Sequence, residues 1–150
     1  MISSMNLAKK IENFDISGDQ TACDQFHLSV VIPTLREFDN LKNLIPKLIK
    51  ILKNQNLKFQ IIIVDDESEP RTHTLINSFN VDSNITLLAN NCRRGLAQSA
   101  LEGFKMAQGE IILLMDADES HCPEDIEKII SPLISGNSKI SVGSRYLAQS

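Results

Sequence analysis

Phe59-Gln60-Ile61-Ile62-Ile63-Val64-Asp65-Asp66 is the stretch on which the fold turns. Its almost purely aliphatic part, Phe59 to Val64, belongs to a strand that is expected to end at Asp65-Asp66 and to be covered on both faces, as in parallel sheets between helical layers. Upstream, Leu28 to Ile32 is a second short β-branched run, which Pro33 is expected to stop. Between them, Leu44, Ile45, Leu48, Ile49 and Leu52 mark one face of a helix starting near Leu41, with Pro46 expected to kink it or mark its true start. Downstream, Thr72 to Phe79 is a short helix candidate and Ile85 to Ala89 a third strand. Leu96, Ala97, Ala100, Leu101, Phe104 and Ala107 give the clearest helical stripe, with Gly109 as its expected C-cap. Ile111 to Met115 is a fourth strand. Pro123 opens a helix with Glu124 and Asp125 in its first turn and Ile126, Ile129, Ile130 and Leu133 as its stripe. Lys139 to Val142 is expected as a fifth strand, before Gly143-Ser144-Arg145-Tyr146.

Strands alternating with helices predict an α/β fold: a mostly parallel sheet with flanking helices and right-handed crossovers. At 150 residues the chain suits one domain able to bury roughly two thirds of its unfolded surface. Residues 1–26 read as a polar, mobile N-terminal extension and 27–150 as the folded domain. Apolar residues at 42% and charged residues at 23% are ordinary for a globular protein. The net charge of −4 excludes the basic footprint of a nucleic-acid-binding domain. Cys23, Cys92 and Cys122 form no C-x-x-C pair and read as free thiols in a reducing compartment. No apolar run approaches the ~20 residues that span a bilayer, and the N-terminus has no apolar core of a secretory signal. A soluble, cytoplasmic protein is expected.

Open α/β sheets bind ligands beyond the carboxyl ends of their strands. Three of the expected strands end there in chemistry: Pro33-Thr34, Asp65-Asp66 and Asp116-Ala117-Asp118. In extended backbone, Asp116 and Asp118 project to the same side. Two hard oxygen donors suit Mg²⁺ or Mn²⁺, completed by substrate phosphates, although a D-x-D alone also fits a solvated turn. Asp65-Asp66 has two readings, a strand end that caps the following helix or a buried carboxylate that accepts a nucleobase ring N–H. Arg93-Arg94-Gly95, ahead of the clearest helix, is either a solvated basic turn or a phosphate site. His121 and Cys122 are too few for zinc, and His121 reads as a loop residue shaping the site.

These motifs carry a resemblance. Val31-Ile32-Pro33-Thr34-Leu35-Arg36-Glu37 resembles the P-T-Y-N-E opening of family 2 glycosyltransferases, and Ile61 to Ser68 their I-V-D-D-x-S segment. Gly95-Leu96 with Ala100 and Gly103 is similar to their G-L-x-x-A-x-x-x-G helix. Met115 to Glu124 resembles the M-D-A-D-L-S-H-x-P-E of the dolichyl-phosphate mannose synthases, and Gly143-Ser144-Arg145-Tyr146 their G-S-R-Y. The resemblance runs from 28 to 146 in the family's order. It implies a GT-A, Rossmann-like nucleotide-diphospho-sugar transferase fold. It implies that Pro33, Leu35, Glu37, Val64 and Asp66 meet the nucleoside of GDP-mannose. Asp116 and Asp118 would be catalytic metal and diphosphate ligands, with Ala117 between them and Ser120 on the metal side. Arg145 matches an arginine that reaches toward the sugar-phosphate. Leu35 and Arg36 stand where the family has Tyr and Asn, and Glu67 where it often has Gly or Asn.

The implied reaction is metal-dependent transfer of mannose from GDP-mannose, with inversion, to a dolichyl or polyprenyl phosphate at the cytoplasmic face of a membrane. A phosphate monoester is largely deprotonated at neutral pH and needs no base to become a nucleophile. Positioning and metal-assisted departure of the diphosphate can carry the chemistry. The family continues past the equivalent of Ser150 with an acceptor loop, basic residues and membrane-facing helices. The sequence therefore looks like the donor-binding first part of such an enzyme, incomplete at its C-terminus, with a membrane anchor in the missing part or in a partner. A UDP-sugar-dependent polyprenyl-phosphate transferase and a non-catalytic nucleotide-binding fragment are the alternatives. A phospho-acceptor receiver domain fits poorly, because its acidic pair would follow the first strand rather than the second.

Overall fold

The computed structural model describes residues 26–55, 57–79, 84–118 and 120–144. Four strands, β1 (Leu28–Leu35), β2 (Phe59–Asp66), β3 (Ile85–Asn90) and β4 (Ile111–Leu114), form one sheet in the order β3-β2-β1-β4. All pairings are parallel. The helices are α1 (Phe38–Asn54), α2 (Pro70–Phe79), α3 (Leu96–Met106) and α4 (Ile126–Ile134). The chain moves from β1 outward through β2 to β3, then returns to the other flank of β1 as β4. That reversal leaves a crevice between the carboxyl ends of β1 and β4, the place where such sheets take ligands. No helix of the described residues is long and apolar enough to cross a membrane.

β2 is buried along its whole length, and Ile61 to Val64 have no exposed surface, which is why its sequence reads as an unbroken aliphatic run. Each such side chain contributes about 1.5–3 kcal/mol by leaving water. Pro33 does not stop β1, which continues through Thr34 to Leu35. The Val31 carbonyl accepts from the Met115 amide, so Val31, and Pro33 two residues on, face the β4 side. The next bond on that side would need the N–H that Pro33 lacks, so the ladder with β4 ends at Val31 and Leu114 while β1 continues alongside β2. Pro46 does not mark the start of α1, which begins at Phe38 and runs on to Asn54 with Pro46 inside it and exposed.

Two expectations about α3 are overturned. Its C-cap is Ala107, in extended backbone, and not Gly109. Its buried face is Ser99, Ala100 and Gly103, whereas Leu96, Leu101 and Phe104 are exposed. Gly103 explains the choice: a Cβ there would lie 2.3 Å from Val31 Cγ1 and 3.3 Å from Val64 Cγ2. The small residues let the helix descend onto the sheet, and the larger apolar ones are left on its flanks and outer face. Gly109 has a different function, because a Cβ there would meet the Ser29 nitrogen at 2.6 Å and the Leu28 carbonyl carbon at 2.7 Å.

The chain divides into two compact units, with the boundary between Pro123 and Glu124. A 3₁₀ turn (Pro123–Asp125) that spans this boundary leads into α4 in the C-terminal unit. α4 closes on Gly136 at φ 69°, with the Gly136 amide donating to Leu133 O and the Asn137 amide to Pro132 O. This paired arrangement around a left-handed glycine satisfies the last helical carbonyls. The expected fifth strand is absent: 139–142 carries no ladder, and Ile140 and Val142 are 79% and 81% exposed. A β-branched run becomes a strand only where a neighbouring strand accepts its backbone bonds.

Candidate functional site

The sheet brings the three acidic or polar strand ends to one edge. Thr34 and Asp65 are direct register partners on β1 and β2, and Thr34 Oγ1 donates to Asp65 Oδ1 at 2.9 Å. Asp65 has no exposed surface, and its other oxygen, Oδ2, has no partner among the described residues. Glu37 Oε2 is likewise buried and unpartnered. Burial raises the Glu37 carboxyl above its ordinary value; Asn40 offsets this with a hydrogen bond, while Asp118, Asp116 and Asp65 add to the rise. Three other carboxylates thus lie within electrostatic reach of Glu37 at this edge, and two of the four have buried oxygens that no described residue satisfies. A buried acceptor without a donor costs about 1–3 kcal/mol, so such an arrangement is stable only if something else is gained there.

Asp66 is different. Its Oδ1 accepts from Asn90 Nδ2 at 3.0 Å, and its Oδ2 from the amides of Arg94 at 2.7 Å and Gly95 at 2.9 Å. Burial opposes ionisation, but these hydrogen bonds outweigh it and hold the carboxyl below its ordinary value. Asp66 therefore ties β2 to the entrance of α3, and the two amides that would have greeted a phosphate are occupied. Arg94 itself pairs with Glu102. Asp66 does not cap the helix that follows β2, as one sequence reading expected; it bonds the backbone just ahead of α3, and the open buried carboxylate is Asp65. The Val64 side chain is fully buried in the core with Val31 and Ile62, so only its backbone is available to a ligand.

After β4 the chain presents Asp116 half-exposed, Ala117 buried and Asp118 exposed. The Asp116 amide donates to His121 Nδ1 at 3.0 Å. Neutral His121 therefore carries its proton on Nε2, which stands 3.8 Å from Asp116 Oδ2. Ser120 donates its amide to Asp118 Oδ1 at 2.9 Å, and hydrogen bonds from its hydroxyl and amide hold the Asp118 carboxyl below its ordinary value. Ser120 is thus a partner of Asp118 in the turn. Among the described residues no three His, Cys, Asp or Glu side chains gather closely enough to hold a metal alone. Cys92 and Cys122 are exposed and form no disulfide among the described residues. Arg145 and Cys23 lie outside the described residues.

The structure also pairs two residues that the sequence marked only as departures from the family pattern. Arg36 and Glu67, each the residue after the carboxyl end of its strand, both have left-handed backbone, at φ 55° and 53°. For non-glycine residues this costs on the order of 1–2 kcal/mol each. Their side chains pair at 3.0 Å.

The model of glycosyl transferase family 2 matches residues 29–150. The chain belongs to that family. This family-2 chain is 36% identical over 120 residues to a dolichol-phosphate mannosyltransferase of Pyrococcus furiosus, covering 80% of this chain and 33% of the relative. It is 30% identical over 123 residues to a dolichol-phosphate mannosyltransferase of Mycosarcoma maydis, covering 79% and 42%. The chain therefore spans about a third to two fifths of these relatives. Among solved structures, a mannosyl-3-phosphoglycerate synthase from Rubrobacter xylanophilus shares the fold at TM-score 0.66 and 18% identity, over 89% of this chain and 41% of that one. A Pyrobaculum calidifontis mannosyltransferase, solved with GDP-mannose and Mn²⁺, aligns at TM-score 0.54 and 20% identity, over 77% and 34%. The parallel sheet with flanking helices is that of the GT-A neighbours.

Proposed function

We propose that this family-2 chain is the donor-binding part of a glycosyltransferase that transfers mannose from GDP-mannose, with inversion, to a dolichyl or polyprenyl phosphate. The observation that carries the reading is the pair of buried, unpartnered oxygens of Asp65 and Glu37 beside Asp116 and Asp118. Asp65 Oδ2 accepts a ring N–H of the base, and Thr34 fixes the carboxylate for it. Glu37 takes a hydroxyl of the nucleoside, beside Pro33, Leu35 and the Val64 backbone. Asp116 and Asp118 would hold Mg²⁺ or Mn²⁺, and this pair fits because two carboxylates leave most positions to the donor's phosphates. The ion supplies charge neutralisation for the departing diphosphate. His121 orients Asp116, Ser120 orients Asp118, and Ala117 keeps the turn small. Arg145 is assigned to the sugar-phosphate. Kinship with two dolichol-phosphate mannosyltransferases supports mannose and a lipid phosphate. A lipid-phosphate acceptor of this kind would bring the working protein to the cytoplasmic face of a membrane.

A UDP-sugar donor is the second reading, because Asp65 offers one acceptor and uracil as well as guanine has a ring N–H. The test is thermal stabilisation by GDP, GDP-mannose, UDP and UDP-glucose, each with and without Mn²⁺. A ligand at 100 times its dissociation constant adds about 2.7 kcal/mol. Stabilisation by GDP ligands with metal supports the mannose donor, and a preference for UDP ligands replaces it. A folded chain that responds to none overturns the donor site.

A further inference from the structure

Two strand-to-helix connections leave the sheet beside the open carboxylates: that from β1 into α1, which carries Glu37, and that from β2 into α2, which begins just past Asp65 and Asp66 at the end of the strand. They are joined twice by side chains. Arg36 Nε meets Glu67 Oε2 at 3.0 Å, and the Arg71 guanidinium lies 4.5 Å above the centre of the Phe38 ring while its Nε pairs with Glu69. Leu35 and Asp66 are register partners, so Arg36 and Glu67 are the first residues past the ladder, where the strands no longer hold the backbones together. Both have the left-handed backbone that such residues keep only when their surroundings fix it. Arg36 also precedes Glu37, on whose carboxyl Asp118, Asp116 and Asp65 act, and its own guanidinium is paired with Glu67. We propose that Arg36–Glu67 and Arg71–Phe38 form a two-point clasp that positions these two connections as one wall of the donor site. This rests on the donor-site reading above and extends it to residues that touch no reacting atom.

The first measurement needs no ligand. Hydrogen–deuterium exchange on the full chain compares the wild type with Glu67→Gln. A clasp predicts faster exchange in 36–41 as well as in 66–72; a rise confined to 66–72 overturns it. The second is calorimetric binding of GDP with Mn²⁺. Arg36→Gln and Glu67→Gln each weaken binding by about fivefold, their combination is no worse than either alone, and Arg36→Glu with Glu67→Arg restores it. Arg71→Gln weakens it in the same direction. If the two residues acted only as separate charges on an anionic donor, Glu67→Gln would tighten binding while Arg36→Gln weakened it, and opposite signs overturn the clasp. Because the pair is exposed, the ligand-free melting temperature stays near that of the wild type; a large fall in all variants would make the contact merely structural and overturn the proposal. A wild type that binds neither GDP nor UDP removes the donor-site reading, and with it the purpose of the clasp, while the exchange result still decides the linkage between the loops.

Discussion

Ser29–Gln60 and Thr34–Asp65 are both polar register pairs between β1 and β2, five residues apart along the same two strands. At the amino end, Ser29 donates to Gln60 Oε1 at 3.0 Å and accepts the Gly109 amide at 2.8 Å; the Gln108 amide reaches both side chains at 3.2 Å. These bonds hold the turn from α3 into β4 against the sheet, and they explain the close approach of Gly109. At the carboxyl end, Thr34 bonds one oxygen of Asp65, and the other is left buried without a partner among the described residues. One pair is closed by the chain itself, and the other remains open. A polar group whose bonds are all internal serves the fold, whereas one with a buried unfilled acceptor is set up for a molecule the fold does not contain.

That contrast can be broken by experiment. The largest effect is expected from Asp116→Ala with Asp118→Ala, which removes the nucleotide-dependent stabilisation in Mn²⁺, about 2.7 kcal/mol at 100 times the dissociation constant, with little change in ligand-free melting. Next, Gly109→Ala forces a Cβ against the Ser29 and Leu28 backbone and lowers unfolding free energy in urea by about 1–3 kcal/mol. The folded fraction should still bind nucleotide. Asp65→Asn should do the reverse: binding weakens about tenfold, while stability moves by less than about 1 kcal/mol because an amide oxygen still accepts from Thr34. Equal losses of stability from Gly109→Ala and Asp65→Asn would end the distinction between the closed and open pairs.

The smallest effect concerns pH. The Glu37 carboxyl is raised above its ordinary 4.5, so ionisation is disfavoured in the folded state and neutral pH carries a destabilising contribution. Acidification through the raised value removes that contribution. Glu37→Gln should therefore stabilise the ligand-free chain at neutral pH, and the advantage should fade on acidification and vanish below 4.5. Asp66 has the opposite sign: its stabilisation is present above the ordinary 3.8 and is lost only as pH falls through a lower value. Melting temperatures of Glu37→Gln and wild type across pH 7 to about 4 test this assignment.

The isoleucine run, the acidic strand ends and the alternation of elements were legible because each depends on residues adjacent in the chain. The elements that misled share a cause. Leu96, Leu101 and Phe104 are the more apolar face of α3, yet Gly103 and its small neighbours took the buried side, since burial follows how closely two backbones can approach. Lys139 to Val142 has the composition of a strand without the ladder. Asp65 and Asp66 are chemically identical neighbours, and alternation along the strand sends one toward the open crevice and the other toward Asn90 and the start of α3.

Sequence alone determined the fold class and the candidate strand-end residues, because hydrophobic period and local motifs are properties of short stretches of chain. Tertiary structure alone decided which carboxylate is satisfied, which helix face is buried and that Arg36 meets Glu67. Those outcomes depend on pairings across 29 residues for Asp66 with Gly95 and 31 for Thr34 with Asp65, distances at which only the folded sheet makes them neighbours.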